Sequence, residues 1–234
     1  MTINVYWACL EDEWVRDTGP EPVSSHFYGN KDINEKDNKH LSLNRCPFFN
    51  KNFNNLYQLR SIYSYSFKIN GSSVFSDIYD QSFFDKHVYT RSIEKRAFSF
   101  SQSRIFYTDN KKGLDMTSYE MPYLEENNIT KRTIPIVGTF DIGKWFRNIE
   151  HPFYMKDGYD EFKIEEGEIM YYLRFHTNEK IKFIQFYPSE KIKEISVSNM
   201  KSAINTSSKY SADFFYSNFK TKKTIEIEIK KNIL

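Results

Sequence analysis

Histidine is the side chain best suited to metal binding and to proton transfer near neutral pH. His87, His151 and His176 lie in or beside segments with strand-like sequence. A metal site on strands needs His-x-His or His-x-Asp, because alternate residues share a face, and a third histidine on a later strand. No such pair occurs, because Asp85 comes before His87 rather than after it. His176 has Arg174 as its neighbour on the same face, and a guanidinium repels a divalent cation. We predict no metal site. In the alternative that the protein is a metal-dependent enzyme, these three histidines are the ligands.

Nucleophilic and phosphate-transfer chemistry also lack their motifs. The sequence has no Gly-x-Ser-x-Gly elbow, no Gly-x-Gly-x-x-Gly turn and no P-loop. Cys46 directly precedes Pro47, whereas a reactive thiolate is favoured at a helix N-terminus. The acidic residues 11–13 and 165–166 are adjacent in sequence, which is typical of solvated loops rather than of a carboxylate pair on one face. We therefore predict no catalytic residue and no cofactor.

Residues 165–187, EEGEIMYYLRFHTNEKIKFIQFY, contain the clearest period of two in the chain. They predict a β-hairpin that turns at residues 177–180, and successive residues of a strand point to opposite faces. One parity is therefore predicted to be buried. Its members are Ile169, Tyr171, Leu173 and Phe175.

The outward row of this hairpin is the candidate binding site. Two tyrosines of another predicted strand share a face and can lie beside it in the sheet. Aromatic rings next to hydrogen-bonding groups suit a sugar, a peptide or a flat ring. A packing ladder between neighbouring strands is the competing interpretation. The candidate residues are Tyr172, Arg174, His176, Tyr63 and Tyr65.

The composition predicts a mainly β fold. Aromatic residues make up 18% of the 234 residues, and their side chains fit the half-buried surface of a sheet. The net charge of +2 argues against nucleic acid or an anionic membrane as partner. No apolar run is long enough to span a bilayer and the N-terminus does not resemble a secretion signal. The thiols of Cys9 and Cys46 fit a reducing compartment.

Further elements follow from local patterns. Helices are predicted at residues 141–147, with Asp141 as N-cap, and after Ser189. The polar residues 17–44 predict a long surface loop. Additional strands are predicted at residues 3–7, at 62–69 with an Asn-Gly hairpin turn, at 97–100 and 104–108 as a second hairpin, at 133–137, and at 225–229 as an amphipathic C-terminal strand that pairs with the N-terminal strand.

These elements predict one β-rich domain spanning residues 1–234. Many short strands with helices gathered late are typical of a mainly β, α+β architecture. We expect an antiparallel β-sandwich or an open cupin-like or jelly-roll-like barrel with a C-terminal helical decoration.

Several segments together resemble uncharacterised proteins encoded by bacteriophages, especially phages of marine bacteria. The resemblance covers roughly residues 45–190 and implies a soluble phage protein, located in the host cytoplasm or in the virion. It carries no assigned activity, so it assigns no role to any residue. The segments are Cys46-Pro47, IYSYSFKING at residues 62–71, GTFDIGKWFR at residues 138–147 and EEGEIMYYLRFHTNEKIKFIQF at residues 165–186.

The functional expectation is a non-enzymatic phage accessory or virion-associated protein that binds a protein partner, self-association included. It depends on the missing catalytic motifs, the aromatic surplus and the long polar loop. Two alternatives stay open. One is a cupin-like, metal-dependent oxygenase or isomerase, and the other is a carbohydrate-binding β-sandwich.

Overall fold

The computed structural model describes residues 1–10, 19–23, 53–70, 73–101, 103–119, 128–206 and 219–234. Strands hold many more of the described residues than helices do, so the predicted mainly β fold with a C-terminal helical part is confirmed. The predicted loop at residues 17–44 lies outside the described residues except for 19–23, and Cys46 lies outside them as well. Cys9 is buried in the first strand.

The described chain forms fifteen strands and four helices. The strands are β1 (Thr2–Cys9), β2 (Glu21–Pro22), β3 (Leu56–Arg60), β4 (Tyr65–Asn70), β5 (Ser73–Ser76), β6 (Val88–Ser92), β7 (Ala97–Ser101), β8 (Arg104–Tyr107), β9 (Asp115–Tyr119), β10 (Thr133–Pro135), β11 (Gly138–Asp141), β12 (Glu150–Met155), β13 (Glu161–Ile164), β14 (Ile169–Phe175) and β15 (Lys180–Gln185). The helices are α1 (Gln81–His87), α2 (Asn128–Arg132), α3 (Glu190–Thr206) and α4 (Phe219–Lys231).

The strands make four sheets, and nearly all pairs are antiparallel. Sheet A has the order β15-β1-β8, sheet B β11-β9-β14-β3-β2, sheet C β13-β4-β5 and sheet D β10-β12-β7-β6. The exception is β1, which pairs with β15 in parallel and with β8 in antiparallel orientation. All four sheets contribute to one large apolar cluster, whose aromatic members include Trp7, Phe67, Phe98, Phe100, Phe153, Phe162 and Phe175. Burying one such side chain contributes about 1.5–3 kcal/mol, so this cluster is a large source of stability for the fold.

Sheet A is covered on its outer face by the two long helices. A second apolar cluster joins Tyr6 and Tyr107 of the sheet to Ile192 of α3 and to Ile225 and Ile229 of α4. Since β1 also sends Val5 and Trp7 into the large cluster, both faces of this strand are buried.

The C-terminal segment is a helix, so the predicted amphipathic strand at residues 225–229 was wrong. The alternation of Ile and Glu satisfies a period of two, but Ile225 and Ile229 are also four residues apart and share one face of a helix. They are buried, whereas Ile227 is 44% exposed. The predicted pairing of terminal strands is wrong too, because the partners of β1 are β15 and β8.

Two predicted hairpins are not present, although the strands that compose them are. β14 pairs with β3 and β9 in sheet B, whereas β15 pairs with β1 in sheet A. Likewise β7 pairs with β6 and β12, whereas β8 pairs with β1. In both cases the chain leaves one sheet for another at the predicted turn. The predicted hairpin of β4 and β5 is confirmed, with Asn70 opposite Ser73.

Asp141 organises a turn rather than a helix, so the predicted helix at residues 141–147 was wrong. Its Oδ1 accepts hydrogen bonds from the backbone N–H of Gly143 at 2.8 Å and of Leu114 at 3.1 Å. The carboxylate therefore ties two separate turns together. Gly113 has φ +74° and lies so close to Asp141 that no Cβ would fit. The helix predicted after Ser189 is confirmed as α3.

Candidate functional site

Strand β14 is buried on both faces for most of its length, which changes the predicted division into core and surface. Its pairing with β3 is irregular between Ile169 and Tyr171. A bulge of this kind inserts one residue and shifts the side-chain parity. Met170 consequently joins Tyr171 in the large core cluster, and Ile169 packs with Tyr172 on the other face. The burial predicted for Ile169 is confirmed, but its predicted face was wrong.

The predicted five-residue groove does not form. Tyr172 is 3% exposed and packs with Val23 and Phe53 in a small outer cluster of sheet B. Tyr65 is 1% exposed, with its ring 4.9 Å from that of Phe100 in the core. Aromatic side chains gain more from burial here than from lining a polar surface.

Tyr63 is also separated from the other candidates. It is half-buried, and its ring contacts those of Phe83 at 5.5 Å and His87 at 4.8 Å. The strand that follows it, β4, belongs to sheet C, whereas β14 belongs to sheet B. Only Arg174 and His176 of the five candidates therefore remain together on one open surface.

Arg174 and His176 belong to a polar row that crosses three strands on the outer face of sheet B. We use the name polar row for Arg174, His176, Thr117 and Thr139. Arg174 of β14 lies opposite Thr117 of β9, which lies opposite Thr139 of β11. His176 follows the end of β14, and its Nε2 lies 2.7 Å from the Thr117 hydroxyl. That hydroxyl is in turn 2.6 Å from the hydroxyl of Thr139.

A small depression of about 240 Å³ adjoins the polar row. It is lined by Asn54, Arg174, Phe175, His176, Thr177 and Asn178. The described lining residues offer guanidinium, imidazole, amide and hydroxyl groups, and none of these six side chains carries a carboxylate. Arg174 supplies its permanent positive charge, because a guanidinium stays protonated at all physiological pH values. The surface is therefore suited to hydrogen-bond acceptors and to negative charge.

Asn55 holds one wall of the depression in place. Its side-chain amide donates to the carbonyl oxygens of Thr177 at 2.8 Å and Glu179 at 2.9 Å. Its own carbonyl accepts from the N–H of Phe175 at 3.0 Å. Asn55 adopts φ +52°, a left-handed conformation that Asn tolerates better than most residues. These bonds fix the chain where it leaves sheet B towards sheet A, which preorganises the rim.

The three histidines of the metal alternative do not come together. His176 contacts Thr117 and His151 lies 3.3 Å from the hydroxyl of Ser118. Thr117 and Ser118 are successive residues of β9, so they point to opposite faces of sheet B. His87 contacts the ring of Phe83 at 4.4 Å, at the end of α1. Among the described residues, no three His, Cys, Asp or Glu side chains form a cluster that could hold a metal ion.

His151 is part of the core rather than of a site. Its ring stacks on Tyr171 with a centroid separation of 4.7 Å and an interplanar angle of 13°. Burial lowers the pKa of His151 from 6.5 to about 3, because the imidazolium loses its hydration. The ring is therefore neutral at physiological pH.

Comparisons with known proteins assign no identity to the chain. No protein-family model matches it, and no curated protein matches it either. Among the described residues no helix has the length and apolar character needed to cross a membrane.

Sequence reasoning missed the threonine and asparagine members of the site. Thr117 and Thr139 belong to strands with ordinary alternation, and their contact with His176 joins residues far apart in sequence. Asn54 and Asn55 lie in an Asn-rich stretch, where no local signal distinguishes them. Only the pairing of β9 with both β11 and β14 brings these groups together.

Proposed function

We propose that the protein is a non-enzymatic binding protein that recognises a protein partner through the polar row of sheet B. The observation that carries this proposal is the continuous set of hydrogen-bonding side chains from Arg174 to Thr139, beside a preorganised depression. A partner segment with acidic and amide side chains offers hydrogen-bond acceptors and negative charge that complement the chemistry of this surface. A second copy of the chain is included among the partners.

The shape and chemistry of the depression favour binding over catalysis. General acid–base or nucleophilic catalysis needs a reactive group oriented by a further one. The Nε2 of His176 lies against the Thr117 hydroxyl, but that hydroxyl is shared with Thr139. Among the described residues of the lining, no carboxylate orients the ring. The volume of about 240 Å³ is also below that of an ordinary small-molecule pocket, which is roughly 300–1,000 Å³. A shallow polar surface is more typical of a contact with another macromolecule.

The two alternatives lose support for different reasons. A carbohydrate site uses an aromatic platform, and the burial of Tyr172 and Tyr65 removes the platform that the sequence predicted. A cupin-like oxygenase or isomerase needs convergent ligands, whereas His151 and His176 lie on opposite faces of sheet B.

We place this binding function in a phage context, as an accessory or virion-associated protein. The support is the resemblance of residues 45–190 to phage proteins described above. Mass spectrometry of purified virions separates the two locations, because a virion component copurifies with the particle at a constant ratio.

Site-specific photo-crosslinking tests the binding face. A benzophenone amino acid replaces Asn178 on the rim of the depression, and the control replaces Lys163, which is exposed in β13 of sheet C. We expect crosslinked partners, or crosslinked dimers, from the rim position in phage-infected cells and none of the same species from the control position. Arg174→Glu is expected to reduce the rim crosslink about tenfold, because charge reversal opposes an acidic partner.

Light scattering after size-exclusion chromatography distinguishes self-association from a foreign partner. Dimers that disappear in Arg174→Glu identify a second copy as the partner. Crosslinks that Arg174→Glu leaves unchanged contradict the proposal. A monomer that yields no rim-specific crosslink contradicts it as well.

A further inference from the structure

Two arginines converge on one carboxylate at the outer face of sheet D. Arg91 of β6 forms an ion pair with Glu150 at the start of β12. Arg147 forms a second ion pair with the same carboxylate, with a nitrogen–oxygen distance of 3.3 Å. The arginine pair, Arg91 and Arg147, therefore carries two positive charges against one negative charge. The cluster keeps one unit of net positive charge.

Apart from Glu150, the described neighbours that contact the arginine pair are uncharged. The Nε of Arg91 donates to the hydroxyl of Ser99 at 2.9 Å, and the guanidinium of Arg147 lies 5.1 Å from the ring centre of Trp145. Tyr89 raises the pKa of both arginines, which favours their charged forms. In the described part of the chain, Glu150 is the carboxylate that contacts this pair.

The cluster is built on a rigid support. Asn148, next to Arg147, donates its side-chain amide to the hydroxyl of Ser101 at 3.2 Å and its backbone N–H to the hydroxyl of Ser196 at 3.1 Å. Asn199, which lies with Ser196 in α3, donates its side-chain amide to the carbonyl of Phe146 at 2.8 Å. Helix α3 and strand β7 thus hold residues 146–148 in one position. An arginine held this way loses little conformational entropy on binding a ligand.

Burial of the arginine pair is asymmetric. The side chain of Arg147 is 15% exposed and that of Glu150 is 10% exposed, whereas Arg91 is 44% exposed. Arg91 is therefore the part of the cluster that a solute reaches first. Ser99 and Tyr89 lie beside Arg91 and carry no carboxylate. Neither of them therefore repels an anion that approaches Arg91.

We propose that the arginine pair binds a phosphate group on the outer face of sheet D, with Glu150 as a fixed competitor that sets the affinity. Tetrahedral phosphate oxygens bridge two guanidinium groups, each of which donates from a planar fork. The surrounding electrostatics agree with this assignment. Burial lowers the pKa of Arg147, the charge of Arg91 lowers it further, and Tyr89 raises it. A bound anion favours the charged form of both guanidinium groups. Burial also lowers the pKa of Arg91.

This site is separate from the polar row. Arg91 and Glu150 belong to sheet D, whereas the polar row crosses sheet B. A phosphate site here is independent of the partner proposed above, and the failure of either proposal leaves the other intact.

Isothermal titration calorimetry of the full chain with inorganic phosphate tests the site. We expect saturable binding with a dissociation constant at or below about 10 mM. Arg91→Gln is expected to weaken binding at least about tenfold, because it removes a charge-assisted hydrogen bond. Arg132→Gln is the matched control, since Arg132 is also partly exposed and pairs with one carboxylate, Glu161. It is expected to bind phosphate like the unmodified protein.

Glu150→Gln separates a binding role from a structural one. If Glu150 competes with phosphate, its removal tightens phosphate binding roughly tenfold even though it weakens the fold. A site with only a structural role shows lower stability without tighter binding. Thermal unfolding verifies that each variant is folded. If Glu150→Gln does not fold, Arg91→Gln decides the question, because Arg91 is the most exposed side chain of the cluster.

O-phospho-L-serine distinguishes a free ion from a phosphate group carried on a larger ligand. Binding of either probe that depends on Arg91 supports the site, and preference for the ester identifies an ester-borne group as the ligand. Absence of saturable binding by both probes overturns the proposal. Binding that Arg91→Gln and Glu150→Gln leave unchanged overturns it too.

Discussion

The outer face of sheet A is covered by helices, whereas part of the outer face of sheet B is open. In sheet A the outward residues, such as Tyr6, Ile105 and Tyr107, are covered by α3 and α4 and are almost fully buried. In sheet B the outward residues beyond Tyr172 are polar, and Thr139 and His176 are exposed. Alternation along a strand therefore predicts two faces but not which of them is exposed to solvent. Exposure depends on where the helices pack, and they pack on the apolar face because its burial contributes the larger free energy.

Removing the helix contact should produce the largest effect. Ile229→Ala is expected to lower the free energy of unfolding by about 2–4 kcal/mol, since the side chain is 1% exposed and its removal leaves a cavity between α4 and sheet A. Urea denaturation measures this change. Ile227→Ala is the matched control on the same helix, where 44% exposure predicts a loss below about 0.5 kcal/mol. Equal losses would contradict the assignment of the buried face.

The inner face of sheet B can be tested through His151. Its folded pKa of about 3 lies below the ordinary value of 6.5, so above pH 6.5 both states carry a neutral ring and the group has no effect. As the pH falls below 6.5 the unfolded state binds the proton first, and stability falls until the folded pKa is reached. Between pH 7 and pH 5 we expect a loss of about 2 kcal/mol from this group.

His151→Phe keeps an aromatic ring against Tyr171 and removes the titration. We expect its free energy of unfolding, measured by urea denaturation at several pH values, to fall less steeply than that of the unmodified protein over this range. Identical slopes for the two proteins would mean that the ring of His151 is not desolvated.

A polar tether between α4 and sheet A should have a smaller effect. The hydroxyl of Tyr107 donates to Glu226 at 2.9 Å, and burial together with the Glu226 carboxylate raises the pKa of that hydroxyl. Tyr107→Phe is expected to cost about 1 kcal/mol in unfolding free energy, because it removes one hydrogen bond and keeps the ring in the apolar cluster. If thermal unfolding of Tyr107→Phe matches that of the unmodified protein, this hydrogen bond does not stabilise the contact between α4 and sheet A.

The open face of sheet B should be the most tolerant. Thr139→Val is expected to change the unfolding free energy by less than about 0.5 kcal/mol, because Thr139 is exposed on an edge strand. The same variant removes the hydroxyl that contacts Thr117, so the ring resonances of His176 in NMR spectra should shift. Unchanged resonances would show that the polar row is not connected in solution.

Local patterns predicted most strands of this fold but few of their partners. The strands around residues 97–100, 104–108 and 165–187 were located correctly, yet their neighbours in the sheets were not. Turn chemistry predicts a hairpin only where the chain stays in the same sheet, as it does after Asn70. At the other two turns the chain crosses from one sheet to another. This crossing follows from the packing of the core, and no local sequence pattern predicts it.

The candidate site shows the same division. Arg174 and His176 were predicted to be outward from alternation alone, whereas Tyr172 was predicted to be outward and is buried by Val23 and Phe53. Residues that cover a strand come from elsewhere in the chain. The exposure of any one position therefore depends on long-range packing as well as on parity.

The amino-acid sequence alone determined the mainly β character, the location of most strands and the helix after Ser189. These features follow from side-chain type and period, which act over a few residues. Tertiary structure decided the strand partners, the helical form of residues 219–231, the meeting of His176 with Thr117, and the arginine pair around Glu150. Such contacts join residues distant in sequence, and their free energy arises only when the surfaces around them are packed together.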